Sequence, residues 1–328
     1  MFNAILIDYT DNEYNCRYAE LDDEDLPSGN VTVDIEYSSI NYKDALAITG
    51  KGKIVRSFPM IAGVDLAGIV EKSEDARFIP GDKVMLSGWG VGEKHWGGLA
   101  QKARVCGNWL THIPEGMTTR KAMSFGIAGF TAMLCVESLI RHGIEPGDGP
   151  VLVTGANGGV GSYAIAILSA LGYRVTASTG RPHESDYLLN TLGAVNIIHR
   201  DELSQPGKAL QEQKWSAAID TVGSDTLYNA CASVKYGGVV AACGMAQGLQ
   251  FHGTVAPFII RNVTLAGIDS VMYPQKERHY VWTRINELVG DEQADAITRT
   301  CRLDEVIDYA KALIAGEVRG RTIVDCRA

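Results

Sequence analysis

Up to about residue 115 the apolar positions fall into short runs, at 4–7, 31–37, 61–70, 83–86 and 98–105. Clusters of turn formers separate them, among them Pro27-Ser28-Gly29-Asn30, Ile79-Pro80-Gly81-Asp82 and Ile113-Pro114-Glu115-Gly116. This pattern predicts an all-β module. The texture changes at Arg120. Residues 121–142 read as a helix, Pro146-Gly147-Asp148-Gly149-Pro150 breaks the chain, and Val151-Leu152-Val153-Thr154 reads as a fully buried strand. Strand candidates follow at 174–178, 196–198, 217–220 and 238–243, spaced by helical stretches, which implies βαβ crossovers and a parallel sheet. The last stretch, helical over 303–316 and extended over 321–326, need not belong to that sheet.

The sharpest local signal is Val151-Leu152-Val153-Thr154-Gly155-Ala156-Asn157-Gly158-Gly159-Val160-Gly161-Ser162, a buried strand running into a glycine turn and then a helix over 163–171. With Ala156 in the first glycine slot, the spacing to Gly158 and Gly161 fits the dinucleotide fingerprint. Its missing side chains let backbone amides approach a pyrophosphate at a helix N-terminus. Ala156, Asn157, Gly158, Gly159, Val160 and Gly161 are therefore cofactor-binding candidates.

About 20 residues beyond such a turn, an NAD-preferring fold places an acid that accepts from the ribose hydroxyl. Here the chain reads Ala177-Ser178-Thr179-Gly180-Arg181. No carboxylate would repel a 2′-phosphate, and Ser178, Thr179 and Arg181 could bind it, so the expected cofactor is NADPH. The plain alternative has Arg181 merely facing solvent at a strand end.

Length and composition narrow the class. At 328 residues, 46% apolar and 21% charged, the chain is expected to fold into two domains or one large one. Thirty-six glycines suit nucleotide-binding turns. Thirty basic against 39 acidic side chains leave a net charge of −9, a field that repels nucleic acid and anionic membrane. The seven cysteines are scattered with no CxxC pair, and the N-terminal residues reach Asp8 before any signal-length apolar run. Glycines interrupt the longest apolar stretches short of a membrane span. A cytoplasmic protein with no membrane association is expected.

The sequence resembles the medium-chain dehydrogenase/reductase superfamily over nearly its whole length. Beyond the fingerprint, the resemblance rests on Ile61-Ala62-Gly63-Val64-Asp65-Leu66-Ala67-Gly68, Gly81-Asp82-Lys83-Val84, Gly97-Gly98-Leu99-Ala100, Ile219-Asp220-Thr221-Val222-Gly223 and Gly320-Arg321-Thr322-Ile323-Val324. It implies an α/β protein with a GroES-like β domain, residues 1–120 with 300–328, and a Rossmann doubly wound parallel-sheet domain, residues 121–299. Zinc-dependent relatives carry a cysteine and a histidine as catalytic ligands in segments that match Asn41-Tyr42-Lys43-Asp44 and Gly63-Val64-Asp65 here. An amide at 41 and an alkyl group at 64 suit zinc poorly, so no metal is expected. Among zinc-free members, Ser39 to Lys53 and Gly88-Trp89-Gly90-Val91-Gly92-Glu93-Lys94-His95-Trp96 look like the quinone oxidoreductase and NADPH-dependent acryloyl-CoA reductase subfamily.

That resemblance implies NADPH-dependent reduction of the activated C=C bond of a short 2-enoyl-CoA, acryloyl-CoA to propanoyl-CoA, by hydride transfer. Two alternatives stay open, an NADPH-dependent quinone or enone reductase and a non-catalytic NADPH-binding protein. Asn41 and Asp44 are expected to line the nicotinamide and substrate cleft, with Asn41 as a donor. Tyr42 either donates a proton or packs, since a residue beside Asn41 on an extended segment points the other way. Asp65 orients Asn41 or a water, or only anchors a domain interface. Thr131, Ile268 and Ser270 match positions near the nicotinamide, and Arg321 matches an arginine that reaches the pyrophosphate. Lys51-Gly52-Lys53-Ile54 stands where some zinc-free enoyl reductases carry a tyrosine, so the resemblance assigns no proton donor. Lys51, Lys53, Arg56, Lys94 and His95 either receive CoA phosphates or are solvated loop charges. A homodimer is implied by the family.

Overall fold

The computed structural model describes residues 1–10 and 13–328. It divides into two compact units: Met1–Ile127, Val271–Thr283 and Ile297–Ala328 form the first, Ala128–Ser270 and Arg284–Ala296 the second.

In the first unit, β1 (Phe2–Thr10) pairs antiparallel with β2 (Glu13–Leu21) and with the two-residue β4 (Met60–Ile61). A larger sheet is built on β3 (Val31–Ile40), which pairs with β5 (Asp65–Ser73); β6 (Lys83–Ser87) extends it from β5, β7 (Lys102–Val105) pairs with β3, and β8 (Thr111–His112) pairs with β6. Ile5, Ile7, Val33, Ile35, Leu66, Leu86 and Val105 fill the core these strands share. The apolar run at 61–70 is therefore two strands rather than one. The break falls at Gly63, whose backbone takes φ +106 and where a Cβ would lie 2.6 Å from the Leu99 amide, a conformation and a closeness that only glycine tolerates.

The all-β expectation for this module needs one correction. Residues Tyr42–Ile48 form a helix, α1, with Asn41 as its N-cap in an extended conformation. Asp44, three residues on, accepts from the Asn41 amide N–H at 2.8 Å, the reciprocal bond of a capping box. The seven-residue helix is too short to show the periodicity by which a helix is recognised.

α2 (Thr119–Arg141) is long and apolar enough to cross a membrane by length and composition, longer than the sequence reading allowed, but it is buried along most of its length. Gly126 interrupts it with φ +48 and ψ −161, a region essentially restricted to glycine. The division between units falls just after this break.

The second unit is a six-stranded parallel sheet. β9 (Val151–Val153), β10 (Val175–Thr179), β11 (Asn196–His199), β12 (Trp215–Asp220), β13 (Val234–Ala242) and β14 (Thr264–Gly267) run in the order β11-β10-β9-β12-β13-β14. That is the doubly wound arrangement, whose order reverses between β9 and β12. β9 is buried throughout, as a central strand covered on both faces must be. α3 (Gly159–Ala170) follows the glycine turn and α4 (Ser224–Ser233) follows β12.

The chain then returns to the first unit. β15 (Thr298–Arg302) pairs parallel with β16 (Arg321–Asp325), and β16 pairs antiparallel with β3, placing Thr322 opposite Ile40. The domain limits drawn from the sequence at 120 and 300 move accordingly. Residues up to Ile127 and from Ile297 belong to the first unit, as does the excursion Val271–Thr283. Arg278 fastens this excursion: it is 1% exposed, donates to the carbonyls of Ser87, Val271 and Tyr273, and lies over the Trp89 ring. A buried arginine in a polar helical stretch leaves no mark in the hydrophobic pattern.

Candidate functional site

The register of three strands assembles a polar cluster in the first unit. β3 ends at Ile40 and hands Asn41 to the α1 N-terminus, β5 begins at Asp65, and β16 begins at Arg321. Asp65 is fully buried. Its Oδ2 accepts from Ser39 Oγ at 2.6 Å and Asn41 Nδ2 at 2.9 Å, and both its oxygens lie 3.0 Å from the Ile127 N–H. Arg321, 3% exposed, donates through Nη1 to Asn41 Oδ1 at 2.6 Å and through Nε to the Ser124 carbonyl at 3.3 Å, while Nη2 stands 3.6 Å from Asp65 Oδ2. A Cβ at Gly126 would lie 2.4 Å from Arg321 Nη2 and 2.7 Å from Asp65 Oδ2. The helix break therefore makes room for this ion pair.

Asp44 closes the cluster. Its Oδ2 accepts from the Asn41 backbone and Asn41 Nδ2 (3.1 Å), and its Oδ1 accepts from the Val64 N–H at 3.0 Å. Burial pushes its carboxyl up to about 7; the hydrogen bonds from Asn41 oppose the rise, and the Asp65 charge adds to it.

Of the residues predicted here, Asn41, Asp44 and Asp65 come together and Tyr42 does not. Tyr42 opens α1, is 44% exposed and makes none of the cluster's hydrogen bonds. The extended-segment argument for its direction gives way to a helical first turn. Asn41 is the expected donor, and its Nδ2 lies within 2.9–3.2 Å of Asp65, Asp44 and Ser39. Three acceptors share two hydrogens. Arg321, expected at a pyrophosphate, is buried against Asn41 and Asp65. Ser39 and Gly126 are the members that sequence reasoning missed. Ser39 had a signal, since it lies two positions before Asn41, on the same face of an extended chain.

No group of three or more His, Cys, Asp or Glu side chains is placed to hold a metal ion among the described residues. Val64 contributes its backbone N–H to Asp44 rather than a ligand. Of the five basic loop residues, Lys51, Lys53, Arg56 and Lys94 are exposed, while His95 packs edge-on to Trp109 with Nε2 2.8 Å from the Arg104 carbonyl.

The second unit carries the dinucleotide turn. Gly155 takes φ +60, and a Cβ there would meet Thr221 Oγ1 at 2.1 Å; one at Gly161 would lie 2.4 Å from the Gly155 carbonyl. Gly158 caps α3, and Gly158, Gly159 and Val160 are half-exposed at its start. The first-turn amides of such a helix have no carbonyl within it and face an anion with a favourable dipole. Ala156 is buried, its N–H bonded to the Ser178 carbonyl. Asn157 is buried, its Oδ1 accepts from Thr179 Oγ1, and its Nδ2 has no partner. A buried amide donor left over beside a phosphate-type turn fits a ligand that supplies the acceptor.

Ser178 and Thr179, expected at the 2′-phosphate, close β10. Both side chains are buried, and the Thr179 hydroxyl is committed to Asn157 and to the Arg181 N–H. Arg181, half-buried, is the charged group at that strand end. Thr131 and Ser270 are buried and joined hydroxyl to hydroxyl at 2.7 Å. Ile268 lines a cavity of about 540 Å³ together with Gly223, Cys243, Gly244 and Gly267.

Asp220, part of a family motif but given no role by the sequence, braces this region. It is fully buried, accepts from Thr154 Oγ1 at 2.7 Å and from the Gly223 and Val222 N–H groups at 2.7 and 3.2 Å, and burial raises its carboxyl above the usual range. One carboxylate thus ties the phosphate turn to a wall of the cavity.

Comparison with known proteins agrees with this geometry. The model for the alcohol dehydrogenase GroES-like domain matches residues 27–135, and that for the zinc-binding dehydrogenase matches residues 159–287. "Probable acrylyl-CoA reductase AcuI" of Escherichia coli is 51% identical over 98% of both chains. "Putative quinone oxidoreductase YhfP" of Bacillus subtilis is 40% identical over 99% of this chain and 98% of its own. The crystal structure of E. coli K-12 YhdH with bound NADPH has a TM-score of 0.96 at 49% identity, covering 99% of this chain and 100% of that one. The chain belongs to the medium-chain dehydrogenase/reductase superfamily. Within it, the chain falls in the zinc-free subfamily of acrylyl-CoA reductases and related quinone oxidoreductases.

Proposed function

We propose that the protein is an NADPH-dependent oxidoreductase that reduces the activated C=C bond of a short 2-enoyl-CoA, acryloyl-CoA to propanoyl-CoA, without zinc. The observation that carries this reading is the Asn41–Asp44–Asp65–Arg321 cluster, a polar centre with an amide and an alkyl group at the two positions that match the zinc relatives' ligands, in a chain half identical to an acrylyl-CoA reductase over 98% of its length.

NADPH, when bound, supplies the hydride. Gly158, Gly159, Val160 and Gly161 would hold its pyrophosphate, Asn157 Nδ2 would donate to it, and Arg181 would pair with the 2′-phosphate. Ile268 and the Thr131–Ser270 pair would stand near the nicotinamide. In the other unit, the Arg321 cation on Asn41 Oδ1 polarises the amide and makes Nδ2 a stronger donor. Nδ2 has more acceptors than hydrogens, so its longer bonds, to Ser39 at 3.2 Å and Asp44 at 3.1 Å, are the ones to redirect toward the thioester oxygen, where charge develops. Asp44, with its carboxyl at about 7, is protonated in part of the population at neutral pH and is the acid of the cluster.

A second reading, quinone or enone reduction with the same hydride chemistry, is favoured by the 40% identity to YhfP. NADPH oxidation followed with acryloyl-CoA and with 1,4-benzoquinone at equal concentration separates them. Faster turnover of acryloyl-CoA is expected, and faster turnover of the quinone would reverse the order.

We further infer a cytoplasmic homodimer. All seven cysteines are free thiols, which suits a reducing compartment. β14 is the outermost strand of its sheet, and Val255, Ile259, Ile260 and Leu265 near it are exposed. An open edge with apolar flanks favours pairing with another chain, here a second copy. Sedimentation velocity at micromolar concentration tests this, and a monomer would refute it.

A further inference from the structure

Resting on the acyl-CoA reading above, we propose that the loop of residues 50–58 in the first unit holds the 3′-phospho-ADP head of the substrate's coenzyme A, its cations taking the phosphates and the Phe58 ring the adenine. The loop is closed and pinned. Tyr14 lends its ring to both ends: a Cβ at Gly50 would lie 3.2 Å from Tyr14 Cδ1, and the Phe58 ring stands edge-on to Tyr14 with centroids 5.8 Å apart. Between them the Gly52 N–H donates to the Leu46 carbonyl at 3.3 Å and the Arg56 N–H to the Glu93 carbonyl at 2.8 Å, while Ile54 and Val55 pack on the core. A loop whose ends meet and whose apolar residues are tucked beneath it has the form of an Ω-loop. Its charged side chains are left outside.

Three observations point to a nucleotide. First, Lys51, Lys53 and Arg56 lie within six residues that contain no acid, in a chain of net charge −9, and all three are exposed. Lys94, next to the Glu93 whose carbonyl holds the Arg56 N–H, adds a fourth exposed cation. Among the described residues none of the four has a carboxylate partner: Glu93 is paired with Lys43, and Asp8 with Arg17. Like charges held together by a folded backbone repel one another until an anion joins them. Second, the loop ends in an aromatic platform. Phe58 and Tyr9 are 44% and 54% exposed with ring centroids 5.9 Å apart, and an open aromatic face beside cations suits a purine that stacks while its phosphates are paired. Third, the loop lies within reach of Asn41. Only α1 separates the two along the chain, and seven helical residues span about 10 Å, so a thioester at Asn41 with its pantetheine arm laid along α1 brings the nucleotide to residues 50–58. A quinone has no such head.

Propanoyl-CoA and its 3′-dephospho form, titrated by calorimetry into enzyme saturated with NADP+, measure this contact without turnover and with the dinucleotide site filled. Wild type is expected to prefer propanoyl-CoA by about tenfold or more, the size of a charge-assisted grip on one phosphate. The double variant Lys51→Ala/Lys53→Ala and the single variant Arg56→Ala change exposed side chains and leave the fold intact. Each is expected to weaken propanoyl-CoA on the order of tenfold and to narrow that preference. Phe58→Leu is expected to weaken both esters alike, because both carry the adenine. If wild type binds propanoyl-CoA and both cation variants keep its affinity and preference in full, the loop assignment is wrong while the acyl-CoA reading stands. Equal binding of the two esters by wild type would likewise overturn the phosphate grip. If wild type binds neither ester and does not reduce acryloyl-CoA, the acyl-CoA reading itself fails, and this proposal with it.

Discussion

Arg321 Nη1 donates to Asn41 Oδ1 at 2.6 Å across 280 residues of sequence, with the guanidinium 3% exposed. The contact fixes which way the Asn41 amide faces, because its oxygen is held by a cation and its nitrogen by carboxylates. In the proposed reaction it would make Arg321 a positioning residue, acting on the acceptor through Asn41. Arg321→Lys keeps the charge and loses the fork. Turnover is expected to fall about tenfold or more, with NADPH affinity, read by fluorescence titration, changed less than about twofold. A large rise in the NADPH dissociation constant with turnover intact would return Arg321 to the pyrophosphate.

Asn41→Ala removes the donor and leaves Asp44 and Asp65 facing one another with only Arg321, Ser39 and backbone amides to solvate them. Turnover is expected to drop on the order of a hundredfold, the cost of one donor to a developing oxyanion, and cofactor affinity to change little. Steady-state kinetics with acryloyl-CoA checks this, and unchanged turnover would remove Asn41 from the reaction.

Arg181→Ala is expected to weaken NADPH by about tenfold or more while leaving NADH within about twofold, because only the former carries the 2′-phosphate. Equal losses for both coenzymes would refute the assignment.

The Asp44 carboxyl is raised from an ordinary 3.8 to about 7 by burial, so the folded state binds this proton more tightly than the unfolded chain does. The stabilisation it brings is complete below pH 4 and is lost as pH rises through 7. Asp44→Asn, which cannot ionise, should therefore gain stability relative to wild type between pH 5 and pH 8, by a few kcal/mol at most. Urea unfolding of both proteins at four pH values in that range measures the difference; parallel curves would contradict the raised carboxyl.

Gly126→Ala is expected to lower stability by about 2–3 kcal/mol or more, since the backbone conformation there is strained for any side chain and the methyl would intrude between Arg321 and Asp65. Thermal unfolding reports the loss, and an unchanged melting temperature would mean that the helix break is not required by the cluster.

Local physics made part of this molecule readable from its sequence. The run Val151-Leu152-Val153 followed by glycines announces a buried strand turning into a helix, because burial on both faces, a left-handed turn at Gly155 and close approach at Gly161 each constrain residue type within a few positions. The missing acid after β10 and the amide and alkyl groups at 41 and 64 are likewise choices of residue at one position. The rest was decided by pairing between distant segments. That Arg321 meets Asn41, that Gly126 clears space for both, and that Arg278 draws Val271–Thr283 into the first unit all depend on strand register and on where one chain segment crosses another. The directions of Tyr42 and of the Ser178 and Thr179 hydroxyls follow from the same long-range pairing. Residue type limits what a side chain can do, but its direction and its partners follow from a backbone closed by contacts hundreds of residues apart, which no local pattern encodes.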